Sequence, residues 1–202
     1  LYEFNFGKNV TNITDAVILQ EGIISNFYLN GGYNIDIKKL NASDDTIMSI
    51  ATKKACDKGG KIQDFIDEYL KIESALKEEK RASGITTLEN LENIKKLKNI
   101  SKLPYNKKYG GNGASMRTSI IGLYYYKENQ IDELIEKSIE SSRITHNYTM
   151  GFLGGLVSAV FTSYAARNIH PLKWCQLILE LEDSKKIDQY MKNTNIYQNY
   201  LN

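Results

Sequence analysis

Two carboxylates stand side by side in Ser43-Asp44-Asp45-Thr46, flanked by two hydroxyls. At the start of a helix such a cluster can serve as a cap, because acidic and hydroxyl side chains interact well with the exposed N–H groups and the dipole. The same oxygens suit a hard cation. Mg²⁺ or Mn²⁺ takes oxygen ligands in near-octahedral geometry. Adjacent Asp residues point to different sides of a turn, so each could reach a different ion of a pair, with the Ser43 hydroxyl in a further position. This stretch alone leaves cap and cation site both open.

A second stretch, Tyr109-Gly110-Gly111-Asn112-Gly113-Ala114-Ser115-Met116-Arg117, runs a glycine-rich loop into a helical pattern. Backbone N–H groups at such a junction suit a phosphate or pyrophosphate, although a plain flexible loop has the same composition. Arg117, one turn on, can donate charge-assisted hydrogen bonds or pair with a carboxylate. Two shorter pieces complete the set. Arg81-Ala-Ser-Gly84-Ile85-Thr86 is a loop ending in a hydroxyl able to cap a helix. Ser141-Ser142-Arg143-Ile144-Thr145-His146 carries a single histidine, which suits either a structural role or a cleft. The other histidine, His170, precedes Pro171 and reads as a loop residue.

The elements that must hold these pieces read as helices. Ile47, Ile50, Ala51 and Ala55 fall on one helical face, and Gly59-Gly60 ends that helix. Ile62, Phe65, Ile66, Tyr69 and Leu70 repeat the spacing, up to Lys77-Glu-Glu-Lys80. Thr86 or Thr87 can cap a third helix carrying Leu88, Leu91, Ile94 and Leu97. Met116, Ile120 and Leu123 begin another, and Ile131, Leu134, Ile135, Ser138 and Ile139 make an amphipathic one. Leu153, Leu156, Val157, Val160, Phe161 and Tyr164 make a more apolar helix, and Gly151, Gly154 and Gly155 let a neighbour come close. Pro171 suits a first turn, with Trp174, Leu177, Ile178 and Leu181 inward. The first forty residues hold only short apolar runs, Val17-Ile18-Leu19 and Ile23-Ile24, and a turn at Asn30-Gly31-Gly32. No repeat of 20–50 residues is visible. The expectation is an all-α globule.

Composition narrows the classes. The 202 residues carry 26 Lys plus Arg and 24 Asp plus Glu, a net charge of +2. That balance gives no electrostatic reason for a nucleic-acid or membrane partner. With no run of eighteen apolar residues, no membrane span is expected. The two cysteines, Cys56 and Cys175, form neither a disulfide framework nor a zinc motif. The sequons Asn9-Val-Thr and Asn147-Tyr-Thr read as chance, and a cytoplasmic, monomeric protein is the expectation.

In this order, the four pieces resemble the ADP-ribosylglycohydrolase family, most closely its ADP-ribosylarginine hydrolase branch. Ser43-Asp-Asp-Thr-Ile-Met is similar to that branch's metal motif. Gly110-Gly-Asn-Gly-Ala-Ser-Met-Arg117 with Ile121-Gly-Leu is similar to its glycine loop, and Ser142-Arg-Ile-Thr-His146 with Gly151-Phe-Leu-Gly-Gly-Leu156 to its Thr-His segment. The likeness runs on through Phe161-Thr-Ser-Tyr-Ala and Trp174.

The resemblance implies a compact, orthogonal all-α fold over residues 1–202, incomplete at both ends, with two Mg²⁺ ions (Mn²⁺ as an alternative) in a cleft that binds ADP-ribose. It implies hydrolysis of the N-glycosidic bond between ribose C1″ and a modified arginine of a protein. By position, Ser43, Asp44 and Asp45 become metal ligands, and Asp44, Asp45 and Glu3 the catalytic acids. Tyr69, Gly84, Ile85, Thr86, Gly110, Gly111, Arg117 and His146 become substrate-side residues. Two departures stand out. The family's Gly-Asp-x-x-Gly stretch would lie before Tyr2, and its Asp-x-Asp-[Ser/Thr] motif does not occur in these residues. They motivate an alternative, a non-catalytic ADP-ribose-binding or interaction module of the same fold.

Overall fold

A computed structural model describes residues 13–34, 42–78, 81, 83–97, 99–194 and 196. Glu3 lies outside the described residues. Among those residues there are helices and turns and no strand, so the all-α expectation holds. The α-helices are α1 (Ile13–Leu29), α2 (Asp44–Asp57), α3 (Ile62–Lys71), α4 (Glu73–Leu76), α5 (Ile85–Leu97), α6 (Ser115–Tyr124), α7 (Ile131–Arg143), α8 (Thr149–Ala166), α9 (Trp174–Asp183) and α10 (Lys186–Asn193).

The core is built from one face of each of α2, α3, α5, α6, α7 and α8. Met48, Phe65, Tyr69, Leu91, Ile121, Ile135, Ile139 and Phe152 are all essentially inaccessible to water. Burial of these large side chains is the main stabilising term, at about 1.5–3 kcal/mol each. The α2 helix stops at Gly59 and Gly60, whose φ of 117° and 64° suit residues without a Cβ.

Several faces differ in detail from the sequence expectation. On α2 the buried stripe is Met48, Ala51, Thr52, Ala55 and Cys56, while Ile50 is half-exposed. On α6 the inward face is Arg117, Thr118, Ile121 and Gly122, and Leu123 faces outward. Buried polar side chains rotated this helix away from the face its apolar residues advertised. The α5 helix starts at Ile85, directly after Gly84, so Thr86 and Thr87 sit inside its first turn rather than capping it. Residues 13–29 form a helix that the short apolar runs did not announce. Its apolar residues are spread around the axis, and Val17, Ile18, Ile24 and Leu29 are exposed.

The closest helix pair is α6 with α8. A Cβ built on Gly122 would lie 2.2 Å from the Ala159 carbonyl oxygen, so the two backbones touch there. Thr118 Oγ1 donates to Gly155 O at 2.7 Å and Ser158 Oγ to Ser115 O at 2.8 Å across the same seam. On its other side, a Cβ on Gly155 would lie 2.1 Å from Ser142 Oγ of α7. The α8 helix has 18 residues and, by length and composition, could cross a bilayer. Thr149, Ser158, Thr162 and Ser163 interrupt its apolar residues, so no unbroken run of eighteen occurs. Its buried face, including Phe152, Leu156, Ala159 and Val160, packs on α6 and α7. The α9 helix turns Trp174, Leu177, Ile178 and Leu181 toward the core, each only partly buried.

Candidate functional site

A cavity of about 410 Å³ opens where the starts of α2, α5 and α6 converge with the turn after α7. Asp44 and Asp45 come from α2, Gly84, Thr86 and Thr87 from the start of α5, Gly111, Asn112, Gly113 and Met116 from the glycine loop and α6, and His146 from the α7–α8 turn. All four sequence pieces therefore meet at one cavity.

Ser43 sits at the N-cap position of α2 in extended conformation and is buried. Asp44 is buried, and Asp45 is exposed. Burial pushes the Asp44 carboxyl above the usual range, and the negative charge of Asp45 adds to this. Hydrogen bonds from the backbone of Gly84, Asp44 and Asp45 act in the opposite sense. Gly84 thus links the second loop to the acidic pair. Arg81 holds the approach to that pair, donating from Nη1 to Ala42 O at 2.7 Å.

Arg117 lies behind the cavity wall with no accessible surface. Its Nε donates to Tyr69 Oη at 3.0 Å and its Nη1 to Gly113 O at 2.5 Å. Its Nη2 donates to Ser141 O and to Thr145 Oγ1, both at 2.8 Å. The guanidinium also sits 4.9 Å from the centre of the Tyr69 ring. Among the described residues no carboxylate pairs with it; neutral oxygens hold the charge. Arg117 therefore fixes the glycine loop from behind, through the Gly113 carbonyl.

His146 is buried with its ring against that loop. A Cβ on Gly113 would lie 2.5 Å from His146 Cε1, and one on Gly111 3.5 Å from Nε2. Only glycine lets the loop pass this close. Burial, with Arg117 nearby, lowers the imidazole from 6.5 to about 3, so it is neutral at physiological pH. The two walls of the cavity differ in character: a carboxylate pair on α2, and a loop of backbone amides with a neutral histidine opposite.

Other expected residues fall elsewhere. Tyr69 does not line the cavity; it is fully buried, with its hydroxyl at 2.8 Å from Thr52 Oγ1 and 2.7 Å from Ser141 Oγ. Ile85 is 75% exposed, and Gly110 faces Tyr148 instead of the cavity. Thr87 lines the cavity, with Oγ1 3.4 Å from the place of a Gly113 Cβ. The sequence reading had weighed it only as a cap, and its sole signal was adjacency to Thr86. At the start of α6, the Met116 N–H goes to Asn112 O and the Arg117 N–H to Ala114 O. The helix end thus offers fewer N–H groups to an anion than its sequence suggests.

Asp44 and Asp45 present two carboxylates to the cavity, and Ser43, buried and outside its lining, adds a hydroxyl next to them in sequence. Among the described residues, His, Cys, Asp and Glu nowhere gather three or more at one point. Two carboxylates suffice for Mg²⁺, which is commonly held by one or two with waters completing its shell. The donor set fits such an ion.

The profile of a family described as ADP-ribosylglycohydrolase matches residues 2–195. The chain belongs to that family. It is 39% identical over 181 residues to the ADP-ribosylhydrolase ARH1 of Dictyostelium discoideum, an alignment covering 83% of this chain and 45% of that protein. It is 34% identical over 205 residues to a putative ADP-ribosyl glycohydrolase, L444, of Acanthamoeba polyphaga mimivirus, covering 96% of this chain and 38% of the relative. The chain thus spans less than half the length of these curated relatives.

Proposed function

We propose that the protein acts in a Mg²⁺-dependent hydrolase that removes ADP-ribose from modified arginine side chains of proteins. The observation that carries this reading is the gathering of Asp44-Asp45, the glycine loop and His146 around one cavity. Membership of the family and the name of the Dictyostelium relative support the ADP-ribosyl part. Arginine rests on the sequence likeness to the arginine-acting branch.

The chemistry follows from the two walls. Water adds at ribose C1″, the C1″–N bond breaks, and free ADP-ribose and the arginine guanidinium leave. Such bond loss develops oxocarbenium character at C1″. The Asp pair lies on the wall where a carboxylate can take the proton of the attacking water. The loop of Gly111, Asn112 and Gly113 can hold the pyrophosphate and so fix the ribose relative to those carboxylates. A Mg²⁺ held by Ser43, Asp44 and Asp45 would supply orientation of ribose hydroxyls and charge stabilisation.

A non-catalytic module that binds ADP-ribose is the second reading, favoured by the short donor set of two carboxylates and one hydroxyl. Asp44→Ala and Asp45→Ala in the intact protein separate the two. Loss of Mg²⁺-dependent ADP-ribose release from an ADP-ribosylated arginine substrate in both variants is expected. Undiminished release in both would refute the enzymatic reading. Joint titration of Mg²⁺ and ADP-ribose against thermal unfolding tests binding without turnover, since a ligand of the folded state raises Tm by mass action.

A further inference from the structure

We propose that Thr145 is a positioning residue that holds His146 in the Nε2–H tautomer, so that the cavity is presented with a neutral hydrogen-bond donor for a ligand oxygen. The ligand part of this inference rests on the proposed function; the tautomer part does not.

The argument is one of hydrogen counting. A guanidinium can only donate, so the 2.8 Å contact from Arg117 Nη2 uses a lone pair of Thr145 Oγ1. Thr145 is fully buried, so its single hydroxyl hydrogen needs an acceptor inside the protein. His146 Nδ1 lies 2.8 Å from the same oxygen. If Nδ1 carried the proton, Thr145 Oγ1 would accept twice and its own hydrogen would be stranded. With Nδ1 as acceptor the hydroxyl hydrogen and both contacts of Thr145 Oγ1 are accounted for. The imidazole is neutral, so its one proton then resides on Nε2. The ring's position against Gly111 and Gly113 puts Nε2 beside the glycine loop, and both the loop and His146 line the cavity. An orienting chain therefore runs from the Arg117 guanidinium through the Thr145 hydroxyl to the imidazole. A neutral N–H donor there suits a phosphate or ribose oxygen without adding a charge that would compete for the carboxylate wall.

The test uses nitrogen-15 NMR of histidine side chains in the ligand-free protein, with His170→Gln assigning the two rings. Wild type should show Nε2 protonated and Nδ1 unprotonated for His146. Thr145→Val, nearly isosteric and without the hydroxyl, should lose that preference, and Thr145→Ser should keep it. An Nδ1–H tautomer in wild type, or an unchanged tautomer in Thr145→Val, would overturn the proposal. ADP-ribose binding by calorimetry gives the second readout. Thr145→Val should weaken affinity about fivefold to tenfold, as for loss of one well-placed hydrogen bond, and Thr145→Ser less than about twofold. Equal affinities of wild type and Thr145→Val would overturn the ligand part. Wild type that does not bind ADP-ribose at all would overturn the functional reading, while the spectrum alone still decides the tautomer. Thr145→Ser, which keeps both hydrogen bonds, guards against a Thr145→Val variant that folds poorly.

Discussion

Replacing Gly122 by alanine should push α6, the helix that the glycine loop leads into, away from α8. The new Cβ would lie 2.2 Å from Ala159 O and 2.8 Å from Thr162 Cβ. Ordinary contact begins near 3.4 Å, so α6 and α8 must part by about 1.2 Å. The obstacle is a backbone carbonyl of a helix, which no rotamer change can move aside. Overpacking of a tight core costs about 1–3 kcal/mol and occasionally more. Alanine recovers about 1 kcal/mol of helix propensity. Because the clash is backbone on backbone, the upper part of the overpacking range applies, leaving a net loss of about 2 kcal/mol. For a chain of this size each kcal/mol moves Tm by about 2–4 °C, so Tm should fall by about 4–8 °C. Calorimetry or circular dichroism reads this directly. Gly154→Ala is the internal control. Its Cβ would meet only Ser115 Oγ, at 2.9 Å, the movable end of a side chain. That variant should hold or slightly raise Tm. If Gly122→Ala melts with wild type, the close approach of α6 and α8 is not what fixes their spacing, and the reasoning fails.

Further outcomes are expected. His146 titrates near 6.5 when unfolded and about 3 when folded, so the unfolded state binds the extra proton between those values. Its contribution to stability is intact above about pH 6.5 and is lost on acidification toward pH 3, at up to about 1.4 kcal/mol per pH unit. Urea titrations of His146→Gln should show a shallower decline over that window; an identical slope would contradict the assigned burial of the ring. Burial pushes the Cys56 thiol up to about 12, whereas Cys175 is exposed. Iodoacetamide at pH 8 should therefore label one thiol in the native protein and two in urea, and rapid native labelling of both would count against the core described. Gly113→Ala should drive the His146 ring from its place and abolish the ADP-ribose-induced rise in Tm, with the unliganded protein still folded; a full ligand response would show that the loop and ring need not touch.

The helical core was largely legible in the sequence because its signal is local. Phe65, Ile66 and Tyr69, with Ile62 partly covered beside them, or Leu134, Ile135, Ser138 and Ile139, lie on one face at helical spacing and pack into the core. The α6 helix was less legible, since its buried face is led by an arginine and a threonine whose partners lie on distant elements. For α1, apolar residues around the whole axis gave no period to read. The four motifs meet at one cavity, but their inner roles were not written in residue type. Tyr69 and Arg117, expected on the substrate side, brace each other behind the wall. Thr87 reaches the cavity through the placement of Gly84, which a linear reading cannot supply.

The buried guanidinium of Arg117 also shapes how this protein can breathe. Its acceptors come from chain positions as far apart as Tyr69 and Thr145, and all must be in place before the cation can be dehydrated without loss. Helix α3, the glycine loop and the end of α7 each supply an oxygen to this one cation, so displacing any of them leaves a buried donor unsatisfied. Opening the loop at Gly113 leaves one N–H of a buried charge without its acceptor, a cost that opposes the motion its glycines would otherwise permit.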